Sequence, residues 1–388
     1  MVTATATASD ILKGSKAVGV LRLFLALCVV AGHARDNVFG MIPPIWSVFS
    51  VPIFFVISGF YMAMVISGPY RNKPVGAFYL SRIARLYPAY LISIVTAFCA
   101  LLAATGLTFL DPLFTMPLHQ QLYVVLSNVL ILGQELVYLF PLSNAATGQQ
   151  FSLDNITLNP PAWSISVELI FYFLAPLAVR SLRSSAVFLG VGALYAAAIP
   201  LIDLDALRQW LGNPILFSLP TLNYYMFPAS FLMFGGGAVA YHLIYEQAIL
   251  GHGGRPSAAS YWIAVVATAF IAKFCAPLVA WWQILAFVIA VPALFALTRD
   301  NKLDRTVGEL SYPVYIMHFP VLIILKTTGI PSWLGIGTAT ALATLAVGGA
   351  VFWLVDRPVD RWRHRMVNSA RHKKPERTDR SLWVKTQP

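Results

Sequence analysis

Apolar runs of about 20 residues recur along almost the whole chain, and that is the length a helix needs to cross the hydrocarbon core of a bilayer. Only 11% of the 388 residues are charged and 58% are hydrophobic, which excludes a soluble globular protein. The bilayer core holds no water to satisfy an open backbone, and each run is a continuous apolar stretch, so each is read as a helix. The expected fold is an all-α polytopic membrane protein. The first span follows residue 16. Others are expected at 43–67, 86–106, 162–179, 186–202, 221–244, 258–276, 280–298, 311–328 and 333–355, which makes about ten, with 120–140 as an eleventh candidate.

Positive charges decide the eleventh. If 120–140 does not cross, then Arg71, Lys73, Arg82, Arg85, Arg180, Arg183, Arg255, Arg299, Lys302, Arg305 and the basic tail share the side of the N-terminus, leaving Arg35, Arg208, Lys273 and Lys326 opposite. Crossing would move Arg180 and Arg183 outside. The positive-inside rule therefore favours ten spans in a bacterial inner membrane with both termini cytoplasmic. Residues 107–161 become an outer segment with a re-entrant or surface-lying helix. Residues 1–16 are a cytoplasmic arm, 17–355 the membrane domain, and 356–388 a basic tail expected to be disordered and to touch lipid. A basic start, an apolar run and AGHA at 31–34 also fit a secretory signal, but cleavage there would discard Arg22, so a retained span is preferred. The net charge of +11 clusters beside membrane segments, which points to anionic lipid and not to nucleic acid. Cys28, Cys99 and Cys275 lie in apolar runs without CxxC or metal-type spacing; they are expected as packing residues, with no disulfide and no metal site.

Ionisable groups inside such spans are costly and mark a site when they face protein. In LRLFLALCVVAGHARD, Arg22 and His33 are eleven residues apart and so share a helix face, about 16 Å apart along the axis, and Asp36 extends that face. Ser58 and Tyr61 share a face beside Gly59, which permits close helix approach. Ser164, Glu168 and Tyr172 follow at i, i+4, i+8, and Ser311, Tyr315 and His318 line up in the ninth span. Serines and tyrosines in such stripes are as readily interhelical glue as site residues. Glu168 is different, because a membrane carboxylate needs a partner, a proton or a function. By depth, His33 and Glu168 are expected at a similar outer level, His318 near mid-membrane, and Arg22, Arg82 and Arg85 on the cytoplasmic side.

Arg22 to His33 with ten residues between, FFVISGFYM at 54–62, RIARLYP at 82–88, WSISVELIFY at 163–172 and GELSYPVYIMH at 308–318 resemble, in order, the motif series of the acyltransferase-3 family of membrane O-acyltransferases. The resemblance covers about 17–355. It implies transfer of an acyl group, expected to be acetyl, from cytosolic acetyl-CoA or another acyl-CoA to a hydroxyl of an exported or cell-surface carbohydrate acceptor, which can be lipid-linked. Exopolysaccharide and lipopolysaccharide are the acceptor types it suggests, with glycan-assembly proteins as partners. It places His33 in catalysis and Arg22, Arg82 and Arg85 at the donor. Ser58, Tyr61, Trp163, Ser164, Tyr172, Ser311 and Tyr315 are the candidate substrate-binding residues. Some members append a hydrolase-like domain, whereas here only the tail follows Asp356.

On this reading neutral His33 is the general base on the acceptor hydroxyl, Asp36 or Glu168 holds its ring, and His318 is the second candidate acid/base. Transfer from a thioester needs no metal. An acyl-histidine intermediate that carries the acyl group outward is a second route. The same buried groups would suit a proton-coupled transporter of a glycan precursor, but no internal repeat supports one. A receptor or scaffold leaves the Arg82–Arg85 pair unexplained. A topology reporter fused near residue 150 is expected to report the extracytoplasmic side and one fused after 370 the cytoplasmic side; a cytoplasmic signal at 150 would make 120–140 a span.

Overall fold

The computed structural model describes residues 17–138, 142–149, 151, 157–210, 219–250, 281–331 and 333–369. Among these there is no β-strand. Numbered in chain order, the α-helices of eight residues or more are α1 Gly19–Ala34, α2 Ser47–Ser67, α3 Val75–Thr105, α4 Leu118–Leu130, α5 Trp163–Ala178, α6 Leu182–Ala198, α7 Phe227–Ala240, α8 Trp281–Thr298, α9 Lys302–Glu309, α10 Ser311–Thr328, α11 Ile336–Val351 and α12 Arg357–Ser369. Seven helical stretches are long and apolar enough to cross a membrane. Two shorter apolar helices, Gly19–Ala34 and Ile284–Thr298, coincide with two further expected spans. Nine of the ten expected spans are thus helices, and the tenth, 258–276, lies outside the described residues.

Burial separates the centre of the bundle from its rim. In α2, 94% of the most apolar stretch is inside the protein, against 17% in the α3 stretch. Leu91, Val95, Phe98 and Leu102 therefore form an exposed apolar stripe along α3, as Val187, Val191 and Leu194 do along α6. Lipid chains are the solvent such stripes suit. Cys28 is buried, whereas Cys99 is exposed on α3 and so is not a packing residue. At the centre, α2 meets α7 backbone to backbone: a Cβ on Gly59 would stand 2.0 Å from the Phe234 carbonyl oxygen, so only hydrogen fits. Stacked and tilted rings of Phe55, Phe171, Phe234 and Phe188 fill the space around that contact.

The first helix is held at its start by residues far along the chain. A helix N-terminus leaves backbone N–H groups without intrahelical acceptors. Here Val18 donates to Thr298 Oγ1 at 2.8 Å, Gly19 to Asp304 Oδ2 at 2.8 Å and Val20 to Asp304 Oδ1 at 2.9 Å. Asp304 is buried on α9, which Asn301 caps in turn through the Leu303 and Asp304 N–H groups. The approach is close, since a Cβ on Gly19 would lie 1.8 Å from the Asp304 carbonyl oxygen. At the other end Arg35 takes the left-handed conformation and ends α1, so Asp36 leaves the helix and does not extend the Arg22–His33 face. Its Oδ2 accepts Gly337 N–H at 2.9 Å at the start of α11, and its Oδ1 accepts Asn37 N–H.

In the outer segment, α4 has 13 residues and falls short of a span. It is tied down by Tyr87 and Tyr90, whose hydroxyls donate to the carbonyls of Leu130 and Asn128. A short helical turn at Gln134–Tyr138 follows, held by Ser166 donating to Glu135 Oε2 at 2.5 Å and accepting from Gly133 N–H at 2.9 Å. Burial pushes the Glu135 carboxyl above the usual carboxylate range. The tail expectation needs correcting. Residues 357–369 are helical, continuing from a π-helical turn at Phe352–Asp356, and α12 packs on α3. Its amphipathic pattern outweighs the charge density that suggested disorder, and the rest of the tail, 370–388, lies outside the described residues.

Asp304→Ala is expected to remove the cap of α1 and cost about 0.5–2 kcal/mol, and Asp304→Asn less, because the amide keeps one acceptor oxygen. Thermal unfolding in detergent checks this. Equal melting temperatures for all three proteins would show that α1 does not depend on Asp304.

Candidate active site

Two structural centres lie side by side in the bundle, an arginine-lined cavity and a histidine pair. The cavity is lined by Arg22 from α1, Ser58 and Tyr61 from α2, Arg82 and Arg85 from α3, Ser164, Glu168 and Tyr172 from α5, Ser311 and Tyr315 from α10, and Arg363 from α12. Ser58 with Tyr61 and Ser164 with Glu168 and Tyr172 line it as their spacing predicts, because residues three and four apart point the same way, whereas His33 and His318 of the α1 and α10 stripes do not line it. Trp163 does not either. It begins α5 but packs among Tyr138, Tyr224, Tyr225 and Phe55 instead of lining the cavity.

Within the cavity the guanidinium of Arg22 lies 5.9 Å from the Tyr61 ring centre, and that of Arg82 lies over Phe78 and Tyr172 at 5.6 and 5.9 Å. Arg82 Nε is buried and has no hydrogen-bond partner. Glu168 does not hold the His33 ring as the sequence suggested; its Oε1 accepts the Ser58 hydroxyl at 2.7 Å and the Tyr172 hydroxyl at 2.5 Å. The carboxylate therefore faces the arginines, Arg22 among them. A buried cluster with this excess of positive charge is built to receive an anion, and guanidinium forks match phosphate oxygens in particular.

The histidines meet across α1 and α10. His318 is fully buried and its Nε2 lies 3.2 Å from His33 Nδ1; the rings are 4.9 Å apart, centre to centre. Each Nδ1 also faces a backbone carbonyl, His33 that of Val29 at 3.0 Å and His318 that of Tyr315. A carbonyl oxygen only accepts, so both neutral imidazoles carry their proton on Nδ1. His318 Nε2 is then an acceptor for His33 Nδ1–H, and the basic lone pair of His33 sits on Nε2. The orienting role expected of Asp36 or Glu168 is filled by Val29 and His318. Asp36 spends both oxygens on backbone N–H groups.

Tyr315 connects the two centres. Its hydroxyl donates to the Pro161 carbonyl at 3.0 Å and pairs with Ser164 Oγ at 2.7 Å on the cavity side, while its own carbonyl holds His318. Asn159 braces the same stretch by donating to the Ile316 carbonyl and to Ser93 Oγ. Ser311 donates to Gly308 at the start of α10. Sequence reasoning missed Asn159 because it lies in a loop with no periodicity, and missed Arg363 because the tail was read by charge alone.

A family model for an acyltransferase domain, that of acyltransferase family 3, matches residues 16–355. The chain belongs to the acyltransferase-3 family. No curated protein and no solved structure matches it. The match takes in α1 to α11, and with them the histidine pair and three of the four cavity arginines of this membrane acyltransferase. It ends one residue before Asp356.

His33→Gln is expected to cost 100-fold or more in acyl transfer with the fold intact, because an amide cannot take a proton at neutral pH. His318→Gln should cost about tenfold, since Val29 still holds the His33 ring. Initial rates on folded protein test the order. A greater loss at His318 would reverse the two roles.

Proposed function

We propose that this acyltransferase moves an acyl group, acetyl in the simplest case, from cytosolic acyl-CoA to a hydroxyl of a carbohydrate handled at the outer face of a bacterial inner membrane, with both termini cytoplasmic. One observation carries the reading: an anion-receptive arginine cavity adjoins a histidine pair whose tautomers are set by two backbone carbonyls, one at each Nδ1. Arg22, Arg82 and Arg85 bind the phosphates of the donor, and Ser58, Tyr61, Tyr172 and Ser311 line its path. Toward the outer end, Tyr315 and Ser164 stand between the cavity and His318.

His33 Nε2 takes the proton of the acceptor hydroxyl as its oxygen attacks the thioester carbonyl. The C–S bond breaks, and CoA leaves as the thiolate, which takes up the proton held by the His33 imidazolium and restores the neutral base. The imidazolium formed at His33 is stabilised by the Val29 carbonyl and the His318 lone pair, so charge develops next to oriented acceptors and not in bare hydrocarbon. An imidazolium at the outset cannot accept that proton, so rate should fall as pH drops through the imidazole range, near 6.5 for a free side chain. Lipid-linked glycan is the acceptor class that a membrane-embedded base meets most directly.

Arg82→Ala and Arg85→Ala are each expected to weaken acyl-CoA binding by about 1.5–3 kcal/mol, the worth of a charge-assisted hydrogen bond, with partial rescue by Lys. Binding of labelled acetyl-CoA to purified protein in detergent measures this. Unchanged affinity in both Ala variants would remove the cavity from donor binding.

A further inference from the structure

The C-terminal helix brings a fourth arginine into the cavity. Arg363 is 7% exposed and lines the same space as Arg22, Arg82 and Arg85. Its Nη2 is held by Asp360 Oδ1 at 2.7 Å, one turn back on α12. Its Nη1 is buried without a hydrogen-bond partner, as is Arg82 Nε on the facing helix. Leaving such donors unmet in the interior is expensive, and more so for charged groups. Four guanidinium groups line the cavity against one lining carboxylate, Glu168, which two hydroxyls already engage. Asp360 balances Arg363, and Asp356 and Asp360 act on Arg85. The remaining imbalance is positive, and Arg82 and Arg363, each with one buried unmet donor, line one volume.

We infer that Arg363 is a fourth phosphate-binding residue of the donor site, positioned by Asp360, and that α12 forms a wall of that site. The inference rests on the acyl-CoA reading above and deepens it. With Nη2 fixed on Asp360, the guanidinium is held in one orientation and presents Nη1 to the ligand, which spares the entropy of ordering a long side chain on binding. The region is outside the stretch that the family model matches, so the residue is assigned by geometry alone. A donor carrying several phosphates fits the spread of four cations over α1, α3 and α12 better than a single carboxylate would.

The test compares two thioesters on the full-length protein in detergent: acetyl-CoA, which carries phosphates, and S-acetylpantetheine, which carries none. Arg363→Gln should weaken acetyl-CoA binding by about 10- to 100-fold and lower S-acetylpantetheine turnover far less, by about twofold at most. Asp360→Asn should weaken acetyl-CoA binding less, since it loosens the guanidinium without removing it. Should Arg363→Gln fail to fold, Arg363→Lys carries the same comparison, with a loss of a few-fold on acetyl-CoA alone. Equal losses on both thioesters would make Arg363 a structural residue, and equal affinity for acetyl-CoA in variant and wild type would place its Nη1 away from the donor; either overturns the inference while leaving donor binding by Arg82 and Arg85 standing. A wild-type protein that binds no acetyl-CoA at all would overturn both the inference and the reading beneath it.

Discussion

The structure depends on a carboxylate at the start of its first helix. Asp304 accepts two backbone N–H groups of α1 from 285 and 284 residues away, and Asp36, just past the other end of α1, accepts the Gly337 N–H in the first turn of α11. Each carboxylate meets the positive end of a helix dipole, and Asp304 does so from a buried position, where the contact is worth more than an exposed cap. Between them they fix the height of α1 against α9, α10 and α11. That height determines whether His33 faces His318, and a slip of one turn, about 5.4 Å, would separate the rings. The polar contacts at the two ends of α1 thus set the geometry of the chemistry in its last turn.

Using a second imidazole to orient the first has an electrostatic logic in a membrane. A carboxylate partner would put a permanent negative charge deep in the bundle, at a desolvation cost of several kcal/mol. Two neutral imidazoles, each with its proton directed at a carbonyl, keep the resting site uncharged. The permanent charges are gathered instead in the adjoining cavity, where arginines and Glu168 face one another and where the ligand of the proposed reaction is itself anionic. Tyr315 belongs to both regions, one through its hydroxyl and the other through its carbonyl.

Much of this was legible in the residues. Continuous apolar runs give helices in a bilayer without ambiguity, and the i, i+4, i+8 spacing of Ser164, Glu168 and Tyr172 is enough to place all three on one wall. What spacing does not reveal is which partner a side chain meets. Glu168 and Asp36 were plausible supports for His33, but Ser58, Tyr172 and the N–H groups of Asn37 and Gly337 take their oxygens. Two of those contacts, Ser58 to Glu168 and Gly337 to Asp36, join elements over a hundred residues apart and leave no local signature. Asp36 was also misplaced because the left-handed residue that ends α1 is Arg35, where no glycine announces a helix end. Residues 357–369 were misjudged for another reason: their many charges suggested disorder, although they form α12, which packs on α3 and buries Arg363.

The cap on α1 also orders events in time. The ribosome delivers α1 first, and Thr298 and Asp304, which satisfy Val18, Gly19 and Val20, emerge about 280 residues later. At roughly 5–20 residues per second, that is on the order of 15–60 s. For this interval α1 sits in the bilayer with its N-terminal donors served by headgroups and interfacial water, free to change tilt and depth. Only the late arrival of α9 exchanges those solvent contacts for protein ones. A nascent chain that stops before residue 298 therefore holds its first helix through α2 and lipid without these caps, and the register that aligns His33 with α10 is a property of the finished polypeptide.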